Sequence, residues 1–126
     1  MDNCTFTFTG FVASRDPWEY ILESGMSAPG WQIPVQELQL LASGLNELDE
    51  LHLAFALALA ENSRPDLFID SAITFLNHLS LSVRINAYRV LRAVPREYFD
   101  QNIRMAIMVA LRACPEAIEF ADIASK

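Results

Sequence analysis

The chain has 126 residues, of which 52% are hydrophobic and 20% are charged, and its net charge is −7. This balance predicts a single compact domain, residues 1–126, and excludes a disordered chain. No apolar run reaches the roughly 18 residues that span a bilayer, and the N-terminus lacks the pattern of a secretory signal. Cys4 and Cys114 lie far apart, so we expect free thiols in a reducing compartment and a cytoplasmic protein.

The charge is divided unevenly along the chain. Residues 1–63 carry nine acidic side chains and one basic one, whereas residues 64–126 carry seven acidic and eight basic ones. A nucleic-acid binder needs a basic surface for phosphate contacts, so we do not expect this class. The acidic half predicts a face for a basic partner protein, and an acidic surface that only keeps the protein in solution explains the excess equally well.

Threonine and phenylalanine alternate over residues 5–12, and this is the period of a half-buried strand. Because no second strand is predicted to pair with it, we interpret the segment as an extended N-terminal arm that packs on a helical body. A strand that pairs with a partner or with a second copy is the alternative.

Asp16 and Pro17 predict a short leading helix, with the aspartate as the N-cap and the proline in the first helical position. The helix is expected to end near Gly25. The segment 26–34 that follows is rich in proline and glycine and carries Trp31, which we expect to plug the open end of the helical stack. Loops of this kind also often carry function.

From Pro34 onward, apolar residues recur at the spacing of amphipathic helices. Three helix pairs are predicted, at 34–45 with 49–62, 65–79 with 81–94, and 97–114 with 115–124. The pairs begin about 31 residues apart, which indicates a repeat. Residues 50–61 are apolar nearly all round, so this helix is expected to be central. The buried faces are predicted to include Val35, Leu38, Leu41, Phe68, Phe75, Leu79, Val83, Leu91, Ala106, Leu111, Ile118 and Ile123.

The middle pair, residues 65–95, carries Val83-Arg84 at the start of its second helix, followed by Ala87 and Leu91 on the buried face. This pattern resembles the second helix of a HEAT repeat, and the resemblance is specific only in this pair. It implies an all-α fold in which residues after the loop form a short right-handed α-solenoid of about three helix pairs. It implies nothing catalytic.

The chain departs from the family pattern in the turn of this pair. The family usually places an aspartate there, which caps the second helix and meets the arginine. Asn77 and His78 stand in that neighbourhood here, so we expect Ser80 to cap the helix instead. The domain therefore divides into residues 1–33, with the arm, short helix and loop, and residues 34–126, with the HEAT-like repeats.

Residues that carry chemistry are few. His52 lies in the apolar helix and His78 at a helix end, and neither stands at metal-ligand spacing with cysteines or acids other than Glu50, so we expect structural roles. Phosphate-binding loops and nucleophile motifs are not found in the sequence. We therefore expect no enzyme, no cofactor and no metal site.

A small helical domain of this kind is expected to be a non-catalytic binding protein. The first hypothesis is a small acidic inhibitor that binds and neutralises a partner protein with a basic surface, as an immunity protein does toward a bacterial toxin. The alternative is a HEAT-like scaffold or adaptor, or a homodimer formed through the N-terminal arm. We expect neither nucleic acid nor membrane as a partner. The residues predicted to bind the partner are Asp16, Trp18, Glu19, Glu23, Trp31, Glu47, Asp49 and Glu50.

Overall fold

The computed structural model describes residues 6–24 and 33–126. In these ranges the chain is all-helical, as predicted, and contains no strand. The α-helices are α1 (Phe8–Ala13), α2 (Pro17–Glu23), α3 (Val35–Gly44), α4 (Glu50–Glu61), α5 (Ile69–Phe75), α6 (Leu81–Ala93) and α7 (Gln101–Ala113). Short 3₁₀ helices span Leu45–Glu47, Pro65–Phe68, Arg96–Tyr98 and Ala121–Ser125. None of the helices in the described ranges is long and apolar enough to cross a membrane.

Three of the helices begin at the polar residues that the sequence predicts as caps. Asp16, Asp49 and Ser80 stand at the N-caps of α2, α4 and α6. Each side-chain oxygen accepts a bond from a backbone N–H two or three residues further on. These bonds satisfy donors that the first helical turn leaves without a partner, so each cap fixes where its helix starts.

Helix α4 is the central helix, as its apolar composition predicts. It packs against α2, against α6 and against the 3₁₀ helix at 65–68. Ala56 and Ala60 are completely buried, and their small side chains permit a close approach of neighbouring helices. Because α2, α6 and the 3₁₀ helix at 65–68 all pack on α4, their positions are fixed relative to one another and to the exposed N-terminal end of α4.

The predicted extended arm is wrong for residues 8–13, which form α1. Thr7 is extended, and its hydroxyl accepts a bond from the Gly10 N–H at 3.0 Å, so the threonine caps a helix rather than continuing a strand. Phe6 and Phe11 are both buried, with ring centroids 5.6 Å apart. The local cap and this burial together outweigh the alternation of the sequence.

Three contacts hold the start of α1 to the rest of the domain. The Thr7 N–H donates to the Tyr20 hydroxyl at 3.0 Å, and the Phe8 N–H donates to the Glu37 carboxylate at 2.7 Å. The Phe8 ring also lies against Gly44, where an added methyl group would overlap it. The N-terminal segment is therefore part of the packed body, and its backbone from residue 8 is not available for pairing as a strand.

The first helix of the middle pair is shorter than predicted. It consists of the 3₁₀ helix Pro65–Phe68 and of α5, which ends at Phe75. The chain then turns, so Leu79, predicted to face inward, is 97% exposed. The apolar spacing of the sequence continues to Leu79, although the helix itself ends at Phe75.

The last pair also differs from its prediction. Residues 116–124 do not form an α-helix: turns are followed by the 3₁₀ helix Ala121–Ser125. Ile123 is buried as predicted, whereas Ile118 is 89% exposed. Val35 and Ala106, predicted to face inward, are exposed on α3 and α7. Apolar spacing alone did not distinguish a buried stripe from an apolar residue on the outer face.

Candidate functional site

Four of the residues predicted to bind a partner lie at or on α2. Asp16 caps the helix, and its exposed carboxylate lines a surface depression of about 300 Å³ together with Glu19 and Glu23. The Trp18 ring is 45% exposed and stacks on Phe55 of α4, with centroids 5.9 Å apart and planes inclined by 24°. The stacking fixes the indole on α4 while leaving one side accessible. Trp31 lies outside the described residues.

The other three predicted residues lie just before and at the start of α4. Glu47 is exposed in the 3₁₀ helix that follows α3. Asp49 caps α4, and hydrogen bonds from the His52 backbone and ring hold the pKa of its carboxyl below the usual value. Glu50 accepts a bond from the Ser80 hydroxyl at 2.9 Å. The last two carboxylates are thus fixed in position and remain exposed.

His52 connects these two groups of residues. Its Nδ1 lies 2.9 Å from an Asp49 carboxylate oxygen, and its Nε2 lies 2.9 Å from the Ser14 carbonyl oxygen. Ser14 is two residues from Asp16, so the ring joins the end of α1 to the start of α4. Asp49, rather than Glu50, is the acid that contacts His52. Sequence reasoning missed this link because Ser14 is 38 residues away from His52.

Asp49, His52 and Ser14 are the residue types of a catalytic acid–histidine–serine triad, but they are not arranged as in such a triad. The Ser14 hydroxyl donates to the Phe11 carbonyl at 2.6 Å and lies 3.2 Å from Nε2. The imidazole is closer to the serine carbonyl than to the hydroxyl, and it is only 6% exposed. These contacts tie α1 to α4.

Three segments that carry carboxylates and exposed apolar side chains are joined by side-chain bonds along one edge of the domain. The Glu50–Ser80 bond joins the start of α4 to the start of α6, and Arg84 joins α6 to Glu116 in the turn after α7. Four large apolar residues of these segments are exposed. We call this edge the acidic ridge; its residues are Glu47, Asp49, Glu50, Leu51, Leu79, Leu81, Glu116 and Ile118.

Arg84 organises the acidic ridge. Its Nε and Nη2 donate to the two carboxylate oxygens of Glu116 at 2.7 and 2.9 Å, and its Nη1 donates to the carbonyls of His78 and Leu79. The bonds from Arg84 lower the pKa of the Glu116 carboxyl, and the same pairing raises the pKa of the guanidinium. One side chain therefore fixes both the turn before α6 and the turn after α7.

A groove continues from the acidic ridge between α4 and α6. It has a volume of about 310 Å³ and is lined by Leu51, Ala54, Phe55 and Ala58 of α4, opposite Ser82 and Asn86 of α6. Trp18 stacks on Phe55, one of the residues that line the groove. The α4 wall of this groove is apolar, whereas Ser82 and Asn86 make its α6 wall polar.

The structure also locates residues that sequence reasoning did not select. Leu51, Leu79, Leu81 and Ile118 were not predicted to bind a partner. These four side chains stand out because they are large, apolar and exposed to solvent. Their exposure could not be read from the sequence, since it depends on where the helices end. Cys114 is a buried free thiol whose pKa is raised by burial, and Cys4 lies outside the described residues.

In residues 6–24 and 33–126, no group of three or more histidine, cysteine, aspartate or glutamate residues is arranged to hold a metal ion. Comparisons with protein-family models, with curated proteins and with solved structures found no match to this chain.

Proposed function

We propose that the protein is a non-catalytic binding module whose acidic ridge binds the basic surface of a partner protein, as a small inhibitor does. An immunity protein that neutralises a bacterial toxin is the closest functional analogy. The observation that carries this proposal is the acidic ridge, where Leu79 and Ile118 are 97% and 89% exposed beside fixed carboxylates. Exposed apolar side chains that form one contiguous patch are typical of interaction surfaces.

The two kinds of side chain on the acidic ridge have different tasks in this proposal. Carboxylates such as Asp49 and Glu50 attract a basic partner and speed its association. The exposed apolar side chains of the ridge lose water on contact, and this burial slows dissociation. Trp18, which lies outside the ridge, is of the residue type that most often anchors an interface. Arginine and lysine side chains of a partner suit both the carboxylates and the apolar residues of the ridge. Their alkyl stems cover apolar surface, while their charged ends reach the carboxylates.

A short HEAT-like α-solenoid is the architecture that we infer for the module. Two complete helix pairs, α3 with α4 and α5 with α6, follow one another along the chain, and the packing of α4 on α6 supports this arrangement. In this arrangement the acidic ridge contains the starts of α4 and α6, the second helices of the two pairs, and the turn after α7. A surface made from several repeats is how solenoid proteins build extended binding faces.

A pair of matched charge reversals tests the proposal. Glu47 and Glu97 are both exposed acids in three-residue 3₁₀ helices, and only Glu47 belongs to the acidic ridge. Wild-type protein, Glu47→Lys and Glu97→Lys are immobilised and exposed to extract of the native host, and captured proteins are quantified at physiological salt. We expect Glu47→Lys to lose the partner that the wild type and Glu97→Lys retain.

Leu79→Ala and Trp18→Ala extend the test to the apolar anchors. The partner identified in the first step is purified, and its dissociation rate from each variant is measured. We expect faster dissociation from both variants with little change in association. Equal capture by Glu47→Lys and Glu97→Lys, together with unchanged dissociation from the two alanine variants, would contradict the proposal.

A further inference from the structure

His52 is the buried histidine that joins α1 to α4, and both of its ring nitrogens face oxygen atoms. Nδ1 lies 2.9 and 3.1 Å from the two carboxylate oxygens of Asp49, and Nε2 lies 2.9 Å from the carbonyl oxygen of Ser14. An ionised carboxylate and a carbonyl accept hydrogen bonds and cannot donate them. Each contact is therefore a hydrogen bond only if the ring nitrogen carries a proton, and the two together require the doubly protonated imidazolium.

The neutral ring satisfies only one of these two contacts. With the proton on Nδ1, the lone pair of Nε2 faces the Ser14 carbonyl oxygen, and two acceptors 2.9 Å apart repel each other. The Ser14 hydroxyl lies 3.2 Å from Nε2, but it already donates to the Phe11 carbonyl at 2.6 Å. With the proton on Nε2 instead, the Asp49 carboxylate faces an unprotonated Nδ1. Each neutral form thus lacks one bond that the imidazolium makes.

The charged groups around His52 agree with a positive ring. Among the described residues, the charged group bonded to the ring is the Asp49 carboxylate, and α1 carries no ionisable side chain. Beside Ser14 lie the exposed Arg15 and three exposed acids at the start of and along α2: Asp16, Glu19 and Glu23. Other charged side chains of α4 and of the elements packed on it make contacts elsewhere: Glu50 with Ser80, Arg84 with Glu116, Arg89 with Glu61, Asp66 with Arg64, and Arg92 with the Tyr88 ring.

We propose that His52 is a pH-sensitive bridge, which holds α1 on α4 while its ring is doubly protonated and loosens α1 when the ring loses a proton. Histidine ordinarily changes its charge between about pH 5 and pH 8. The two bonds stabilise the closed N-terminal segment at the acid end of this range, and this stabilisation is lost as the pH rises. Loosening of α1 uncovers Phe11, which is completely buried and packs edge-on against the His52 ring, with centroids 5.3 Å apart. The bridge needs no partner protein, so a failure of this inference does not affect the proposed function.

Nuclear magnetic resonance of the histidine rings in the wild-type protein tests the protonation directly, because the chemical shift of a ring nitrogen shows whether it carries a proton. His78 is the internal comparison. Its Nδ1 accepts the Ser80 N–H at 3.0 Å, and a nitrogen that accepts a bond carries no proton. We expect both ring nitrogens of His52 to be protonated at a pH at which Nδ1 of His78 is not. A His52 ring with one unprotonated nitrogen at that pH overturns the proposal.

Hydrogen exchange of the α1 amides measures the loosening. The rates are corrected for the intrinsic rise of amide exchange with pH and are compared with those of α6 in the same sample. We expect the protection of α1 to fall about tenfold from the acid to the alkaline end of the histidine range, as one buried bond is lost, while the protection of α6 stays constant. His52→Gln, which does not titrate, should abolish this dependence, and His78→Gln is the matched control that should retain it. Protection of α1 that is independent of pH in the wild type, or equally dependent on pH in His52→Gln, overturns the proposal.

Discussion

Arg84 and Glu116, 32 residues apart in sequence, form a two-pronged ion pair in which two guanidinium nitrogens lie 2.7 and 2.9 Å from the two carboxylate oxygens. Both side chains are partly buried. The planar guanidinium matches a carboxylate in this geometry, which a lysine ammonium does not reproduce. The pair joins α6 to the turn after α7 and so maintains the acidic ridge.

Arg84→Lys should lower the melting temperature even though the charge is kept. A lysine retains at most one bond to Glu116 and loses at least one of the bonds to the carbonyls of His78 and Leu79. Thermal unfolding followed by circular dichroism measures the change. Arg89→Lys is the matched control, because its exposed pair with Glu61 is longer, at 3.8 Å, and should change stability little. Equal effects of the two substitutions would count against the role given to Arg84.

Stability should fall as the solution is acidified below about pH 4.5. Bonds from Arg84 lower the pKa of the Glu116 carboxyl below its ordinary value of 4.5, and the bonds from Arg64 to Asp66 and from His52 to Asp49 lower those pKa values below 3.8. The unfolded chain therefore takes up protons first as the pH falls. The stabilisation is present above the ordinary pKa values and is lost as the pH drops through the lower, folded-state values.

Urea unfolding at a series of pH values measures this dependence. Glu116→Gln should be less stable than the wild type near neutral pH and should lose less stability on acidification, since one of the three carboxyls no longer titrates. A wild-type stability that is constant through the acid range, or a Glu116→Gln variant with the same pH slope, would refute the assignment.

Gly44→Ala should destabilise the protein by about 1–2 kcal/mol, because the new methyl group overlaps the Phe8 ring and strains well-packed contacts. Helix propensity alone predicts the opposite sign, a gain of up to about 1 kcal/mol. Denaturant unfolding decides between them. In a Phe8→Ala background the same substitution should be neutral or stabilising, and a loss of stability in both backgrounds would show that Phe8 is not the cause.

His52→Leu should loosen α1 more than the rest of the domain. The substitution removes the ring bonds to Asp49 and to the Ser14 carbonyl, and an unpaired buried polar group costs about 1–3 kcal/mol. Hydrogen exchange should show faster exchange of the α1 amides, with α6 as the internal reference. Uniform acceleration of both helices would indicate a global effect instead.

The sequence was a good guide to features that depend on neighbouring residues. Asp16, Asp49 and Ser80 were identified as caps because a cap is made within one helical turn. The central position of α4 was predicted because an apolar surface on all sides requires cover on all sides. These features need no knowledge of which distant segments meet.

Features that depend on helix ends and on distant contacts were not predicted. Helix α1 has only six residues, fewer than two turns. In so short a segment, the spacing of apolar residues in a helix cannot be told apart from the alternation that is typical of a strand. The spacing of Leu79 predicts a buried position on a helix that in fact ends at Phe75. The acidic ridge requires bonds such as that between Glu50 and Ser80, and no pattern within either segment reveals them.

The bonds of Glu50 and Glu116 within the domain have a consequence for any partner that docks on the acidic ridge. Their carboxylates are already immobilised by Ser80 and Arg84 before a partner arrives. An interface otherwise loses about 0.5–1.5 kcal/mol for each flexible side chain that it must order. Because folding has already restricted these two side chains, a partner that contacts them loses less side-chain entropy than one that contacts freely rotating acids.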